Sequence, residues 1–438
     1  MRVLLLGVLI AGSVFADEPS RVERFSRFLR AGARSNSIRA SGSSYKFFEF
    51  APADGAGMGS VCACASVTGA AGETVTYTRT GSATCLVGAQ YSGIANGDMV
   101  TCTSDKPRVM PGGDGTGGLG LLMEEARTNS ILRSAEIDNA SWSDQTAVVA
   151  APTLNSANAA VAPDGTTTAE DYSFPATGAS ERSGRFQAAA GISGVASVGS
   201  VFIKGVSGSG TLDVCTGTAA SAVCTACAYV DTSWTRCYAA NNIASQGVFI
   251  GNNTLRNGGT TRSLNRVYVW GAMGEAGVGV TSYIATTSGA ATRNTDLAYT
   301  TLASISAMNS LAYTYVTPSA YITTPTPVTW RKDASNVCDG WINSTPAFAA
   351  RILVGGTPRG TTSTASVPVL TANRLSWNGN GTTSSTCVNA ACDSSTPTAW
   401  TPPSGVTTVY IGSYNTGAFS ANGVIKKLCL SPTYGACL

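Results

Sequence analysis

Three groups of residues carry the chemistry that this sequence offers. Glu124 and Glu125 are adjacent carboxylates, Cys224-x-x-Cys227 is a close thiol pair, and seven tryptophans supply aromatic faces. Two carboxylates can hydrolyse a glycosidic bond when they flank it at roughly 5–10 Å. On a strand, neighbouring side chains point to opposite faces, so Glu124 and Glu125 cannot flank one bond. One of them is expected to pair with Arg127 instead. The Cys224/Cys227 spacing fits zinc or redox work. The chain has no histidine, so a zinc site would need four thiolates, and Cys215 and Cys237 flank the pair. Disulfides among these four are the expected outcome in an exported chain.

The missing histidine also removes the commonest general base and excludes Ser-His-Asp and Cys-His catalysis within one chain. Carboxylate-only chemistry survives that filter. After Asp296, however, the acids are only Asp333, Asp339 and Asp393, which argues against a hydrolase site there. The tryptophans are Trp142, Trp234, Trp270, Trp330, Trp341, Trp377 and Trp400. Trp234 and Trp270 lie in strand-like runs and are expected in the core, because aromatics dominate core burial. Trp341, Trp377 and Trp400 stand beside Gly, Asn or Pro. With Asn378 and Asn380 they are the candidate glycan-binding residues: exposed rings stack on sugars, and amides bond hydroxyls.

The elements that must position these residues are strands. Only 12% of the 438 residues are charged, where about a quarter is usual, while hydrophobic content is 43%. A core can form, but runs of Glu, Lys, Leu and Arg that make long helices are nearly absent. Thr, Val, Tyr and glycine-rich turns dominate, which predicts an all-β fold of tandem antiparallel sandwich or jelly-roll domains. A net charge of +3 is too small to imply a nucleic-acid partner. An uncharged polar surface suits sugar hydroxyls.

Residues 1–16 read as a secretory signal, with Arg2 before an apolar run too short to span a bilayer. An uncleaved hydrophobic anchor is the alternative. Residues 17–44 form a basic arm in which Val22, Phe25 and Leu29 recur at helical spacing, predicting a short amphipathic helix. It reads either as a loose N-terminal arm or as a docking arm for an acidic or anionic surface. Residues 45–119 form a small cysteine-rich β region ending in a glycine-rich linker. Asp114 there is the one calcium candidate, without supporting ligands. A larger unit, 120–298, follows, and a third, 299–438, has the same rhythm of short strands. Thirteen cysteines fit an oxidising location. Cys387/Cys392 and Cys429/Cys437 look like short-loop pairs, and Cys338 is the candidate for the odd thiol. Asn139, Asn252, Asn343 and Asn380 begin glycosylation sequons.

Gly120-Leu121-Leu122-Met123-Glu124-Glu125-Ala126-Arg127-Thr128-Asn129 resembles a GLLxEEARTN signature of bacteriophage tail and head-fibre-like proteins. Thr78 to Thr84 resembles that family's TRxSxAT strand, Asp138 to Trp142 its DNAxW segment, and Ala162 to Ala169 its APDGTTTA turn. Val267 to Thr287 resembles its closing segment, to which Tyr283 belongs, with packing as the expected role. The resemblance implies a carbohydrate-binding-module-like jelly roll over 120–298. The last strands resemble a concanavalin A-like (laminin G-like) sandwich over 299–438. It further implies surface attachment or host recognition without a known reaction, and a homo-oligomer, although no heptad or triple-helix repeat is present. The signal-like start and the cysteines depart from the family. They fit a prophage-derived surface protein or a virion protein with an unusual N-terminus. The expected function is non-enzymatic glycan binding at a virion or cell surface, without cofactor. A purely structural assembly component and a carboxylate-dependent glycoside hydrolase or lyase on a concanavalin A-like scaffold are the alternatives.

Overall fold

A computed structural model describes residues 46–49, 63–64, 75–86, 93–111, 119–217, 222–241, 247–277, 279–301, 310–316, 327–342, 347–354, 356–368, 373–379, 384–389, 391–395, 408–413 and 423–431. The expected leader and basic arm, residues 1–44, lie outside them. Residues 44–438 form one compact unit. Among the described residues every named element is a strand except one 3-10 turn, Ala190–Ile192. The all-β expectation holds.

The sandwiches are nested rather than tandem. One sheet runs Ala63–Cys64, Arg108–Pro111, Leu119–Met123, Gly423–Ser431, Ser310–Val316, Asn373–Gly379, Ser384–Val388, Ala391–Ser395, with Lys46–Glu49 added beside Gly423–Ser431. Its partner runs Thr357–Ser366, Ala347–Val354, Asn336–Ile342, Val328–Asp333, Thr408–Ile411, Leu297–Thr301, Val75–Thr78. One core built around Tyr77, Leu121, Trp330, Phe348, Trp377 and Leu428 joins residues from both sheets and both ends of the chain. The segment 45–119 is therefore not a separate small domain, and the sandwich is not confined to 299–438. Strand Leu297–Thr301 pairs with Val75–Thr78, and Gly423–Ser431 pairs with Leu119–Met123. Short apolar strands from either end look alike in sequence, and only the closed core decides their partners.

The second domain is inserted between Leu119–Met123 and Leu297–Thr301. Arg127–Asn129 pairs with Ala291–Arg293 where the chain enters and leaves it. Inside lie two five-stranded antiparallel sheets. One has the order Thr153–Val161, Thr167–Phe174, Asn265–Ala276, Ser197–Gly205, Thr235–Asn241. The other has the order Val223–Tyr229, Gly210–Thr216, Gly247–Asn253, Arg182–Ala188, Ser143–Ala147. Between them Trp142, Phe174, Val201, Leu212, Val214, Ile250 and Val269 are buried together. A hairpin of the outer sandwich, Ala83–Leu86 and Met99–Cys102, lies against the insert. Its loop residue Ile94 exchanges backbone hydrogen bonds with Trp234 at 3.1 and 2.7 Å. Leu86, Ile94 and Met99 share an apolar cluster with Trp234, Trp270 and Phe202. Trp234 and Trp270 are core residues, as expected.

Candidate functional site

Glu124 and Glu125 separate as predicted. Glu125 makes the ion pair with Arg127. That guanidinium lies directly under Gly277, where a Cβ would fall 1.7 Å from Arg127 Nη1, so only glycine fits there. Asn129 is fully buried and uses both ends of its amide. It donates to Ala272 O and Ile284 O and accepts from the N–H groups of Ile131 and Gly274. Tyr283 packs at 4.6 Å from Trp270 and hydrogen-bonds Ser134 Oγ at 2.7 Å, which is the structural role expected of it.

Glu124 points into a buried ionic hub between the two domains. Arg108 reaches Glu124 at 2.6 Å and also pairs with Asp296, while Arg79 pairs with Asp296 at 3.1 Å and Arg293 with Glu124 at 3.2 Å. Tyr77 donates to Asp296, and Ser282 donates to Glu124 through N–H and hydroxyl at 2.7 and 2.6 Å. Burial alone would push the Glu124 carboxyl up, but Arg293, Arg108 and the Ser282 donors together hold it at about 2. The adjoining cavity of about 20 Å³ is the size of one water molecule. Both carboxylates are buried and already taken up by arginines, Tyr77 and Ser282, so the hub is a structural tie between the domains. Sequence reading missed Arg79, Arg108, Arg293 and Asp296 as a set, because their partners lie up to 219 residues away.

The expected tryptophan site is not assembled. Trp377 lies mid-strand in Asn373–Gly379 with 2% of its surface exposed, and Asn378 is fully buried. Both sit in a central strand flanked by Ser310–Val316 and Ser384–Val388, not on a turn, so neither can meet a ligand. The Asn378-Gly379 step ends the strand that forms a hairpin with Ser384–Val388, so both residues belong to the strand. Trp341 is half-buried in strand Asn336–Ile342. Asn380 and Trp400 lie outside the described residues, as does Asp114. The cysteines pair as Cys215–Cys224, Cys227–Cys237 and Cys387–Cys392. These bonds use up all four thiols of the zinc alternative. Cys429 is also disulfide-bonded. Cys437 and the Cys338 side chain lie outside the described residues. Among the described residues no group of three or more cysteine and acidic side chains is placed to hold a metal.

A different face has the character of a binding surface. In the sheet carrying Arg182–Ala188 and Gly247–Asn253, Leu212, Val214, Val248 and Ile250 point into the core. The alternate residues therefore point outward. Register sets them in rows: Phe186 opposite Phe249, Gly184 between Gln145 and Gly251, and Arg182 opposite Asn253. A Cβ at Gly184 would lie 2.3 Å from Phe249 Cζ, and one at Gly247 2.6 Å from Phe186 Cζ. The tip of each ring thus reaches over a glycine of the neighbouring strand. Gln145, Arg182 and Asn253 line the same shallow recess as the rings. Asn253 is 3% exposed and its Oδ1 has no partner, and Arg182 Nε is likewise buried and unpaired. Beside them Asp213 is held by Arg262 at 2.8 Å and by Asn253 N–H at 2.9 Å. Nothing in the local sequence, Glu-Arg-Ser-Gly-Arg-Phe or Ile-Gly-Asn-Asn, marks these residues as a set. They become one only through the pairing of strands that lie far apart in the chain.

Elsewhere in the insert, Glu170 is buried on strand Thr167–Phe174. Burial pushes its carboxyl up to about 7; the Asn158 N–H opposes this, and the Asp138 carboxylate adds to it. A carboxyl raised in the folded state contributes its stability below its unfolded value near 4.5 and loses it as pH rises through about 7. Glu170→Gln should therefore raise the melting temperature at pH 8 and leave it nearly unchanged at pH 4. Thermal melts at the two pH values check this, and an equal shift at both would refute it.

No family model matches the chain, and no curated protein matches it. Among solved structures, the mouse laminin alpha1 chain, domains LG4-5, aligns with a TM-score of 0.23 at 10% identity, covering 56% of this chain and 84% of that one. The β-sandwich assignment rests on the strand order and register above.

Proposed function

We propose that the chain is a non-enzymatic glycan-binding protein of the exported or virion-surface kind, with the outer face of the inserted jelly roll as its binding surface. The observation that carries this reading is the recess in which two aromatic rings reach over glycines beside buried, unpaired polar atoms of Asn253 and Arg182. Buried polar atoms without partners are costly and are expected to find them in a ligand or ordered water. An apolar ring face next to amide and guanidinium groups matches a sugar, which presents C–H patches and hydroxyls together. The disulfides support an oxidising, extracellular setting. The phage-fibre-like signature supports a role in surface attachment, as a homo-oligomer alongside other surface or virion proteins. No cofactor is part of the reading.

The test is a glycan-array screen of the full oxidised chain, followed by titration of the strongest hit. Phe186→Ala should weaken binding by about 1–3 kcal/mol, the scale of a central aromatic contact. Trp341→Ala should leave the affinity unchanged. Unchanged binding in Phe186→Ala would remove the site from this face.

A further inference from the structure

Arginines in the inserted domain are, with one exception, occupied. Arg127, Arg133, Arg185, Arg262, Arg266 and Arg293 each make an ion pair. Arg236 hydrogen-bonds Thr281 O and Ser200 Oγ, and Arg256 is also engaged. Of these arginines only Arg182 has a side chain with neither an ion pair nor a hydrogen bond, and its Nε is buried. The neighbouring acids are already committed. Asp213 is bound to Arg262, Asp144 to Arg185, and Glu181 accepts the Gly178 N–H. The recess therefore keeps a guanidinium that has no ion-pair partner. Opposite it stands Asn253, whose Oδ1 is a buried acceptor in need of a donor.

These groups define a ligand by what each lacks. Arg182 lacks an anion, and a guanidinium takes a carboxylate through two parallel hydrogen bonds. Asn253 Oδ1 lacks a donor, which a hydroxyl supplies and a bare phosphate or carboxylate does not. Phe186 is half-buried and offers apolar ring surface, with the buried Phe249 opposite it in the next strand. We infer that this site takes an acidic saccharide, with the carboxylate of a uronic or similar sugar acid on Arg182 and a ring hydroxyl on Asn253. The inference rests on the glycan-binding reading of the same face and narrows it to charged sugars.

The experiment uses the full oxidised chain on an array of neutral, carboxylated and sulfated glycans. The best carboxylated hit is then titrated as the free acid and as its methyl ester, in low and high salt. Hits should concentrate among the carboxylated glycans, and esterification should weaken binding at least tenfold. Arg182→Gln should lose the same factor and no longer distinguish acid from ester, with the melting temperature unchanged. Asn253→Asp is the second variant: it sets a carboxylate opposite Arg182 and should abolish acid binding even if Arg182→Gln folds poorly. Hits confined to neutral glycans and lost in Phe186→Ala would overturn the charge assignment while leaving the glycan-binding surface in place. Hits confined to sulfated glycans would overturn the carboxylate. Absence of any glycan binding would overturn both readings together.

Discussion

Replacing Asp296 with Ala is expected to destabilise the protein by about 3–5 kcal/mol, the cost of breaking a buried ion pair by removing one partner. Asp296 is fully buried and is the acceptor for Arg79, Arg108, Tyr77 and the Glu124 N–H. Its loss leaves the buried Arg79 without an ion-pair partner and Arg108 with Glu124 alone. Tyr77 and Arg79 come from the outer sandwich, whereas Arg293 closes the inserted domain, so the hub joins them. Denaturant unfolding followed by tryptophan fluorescence reads the loss as a fall in midpoint. A loss below about 1 kcal/mol would show that the hub carries no more than a surface pair. Acidity gives an independent check. A carboxyl held down in the folded state stabilises above its unfolded value and stops doing so as pH falls through the folded value. Glu124, at about 2 against an ordinary 4.5, should therefore keep contributing down to about pH 3. Glu124→Gln should remove that contribution at neutral pH and narrow its deficit relative to the parent chain toward pH 2.

The hub also marks where sequence reading succeeds and where it stops. Alternation and turn chemistry are local, so strands and close cysteine pairs such as Cys387–Cys392 were legible. The same holds for the Glu125–Arg127 pair, two residues apart on one face. Nesting was not, because Val75–Thr78 carries no local sign that its neighbour is Leu297–Thr301. For the same reason the candidate site was misplaced. Arg182 and Asn253 look like ordinary polar residues until the register sets them opposite each other. Trp377 beside Asn378-Gly379 looks like a turn until the sheet is seen to continue on both sides of it.

That misplacement yields the second large effect. Trp377→Ala should cost about 3–5 kcal/mol of stability, the range for truncating a buried aromatic, through lost apolar burial and the cavity left behind. The ring is 2% exposed and belongs to the core with Leu375, Leu428 and Phe348, so the sandwich cannot collapse around the gap without moving strands in both sheets. Affinity for any glycan should be unaffected in the fraction that stays folded, because the recess near Phe186 lies on the inserted domain, which has a core of its own. Denaturant midpoint and glycan titration on the same variant separate the two effects. A stable variant with weakened binding would return the site to Trp377 and remove it from the inserted domain. A destabilised variant whose folded fraction binds normally is the result that the packing requires.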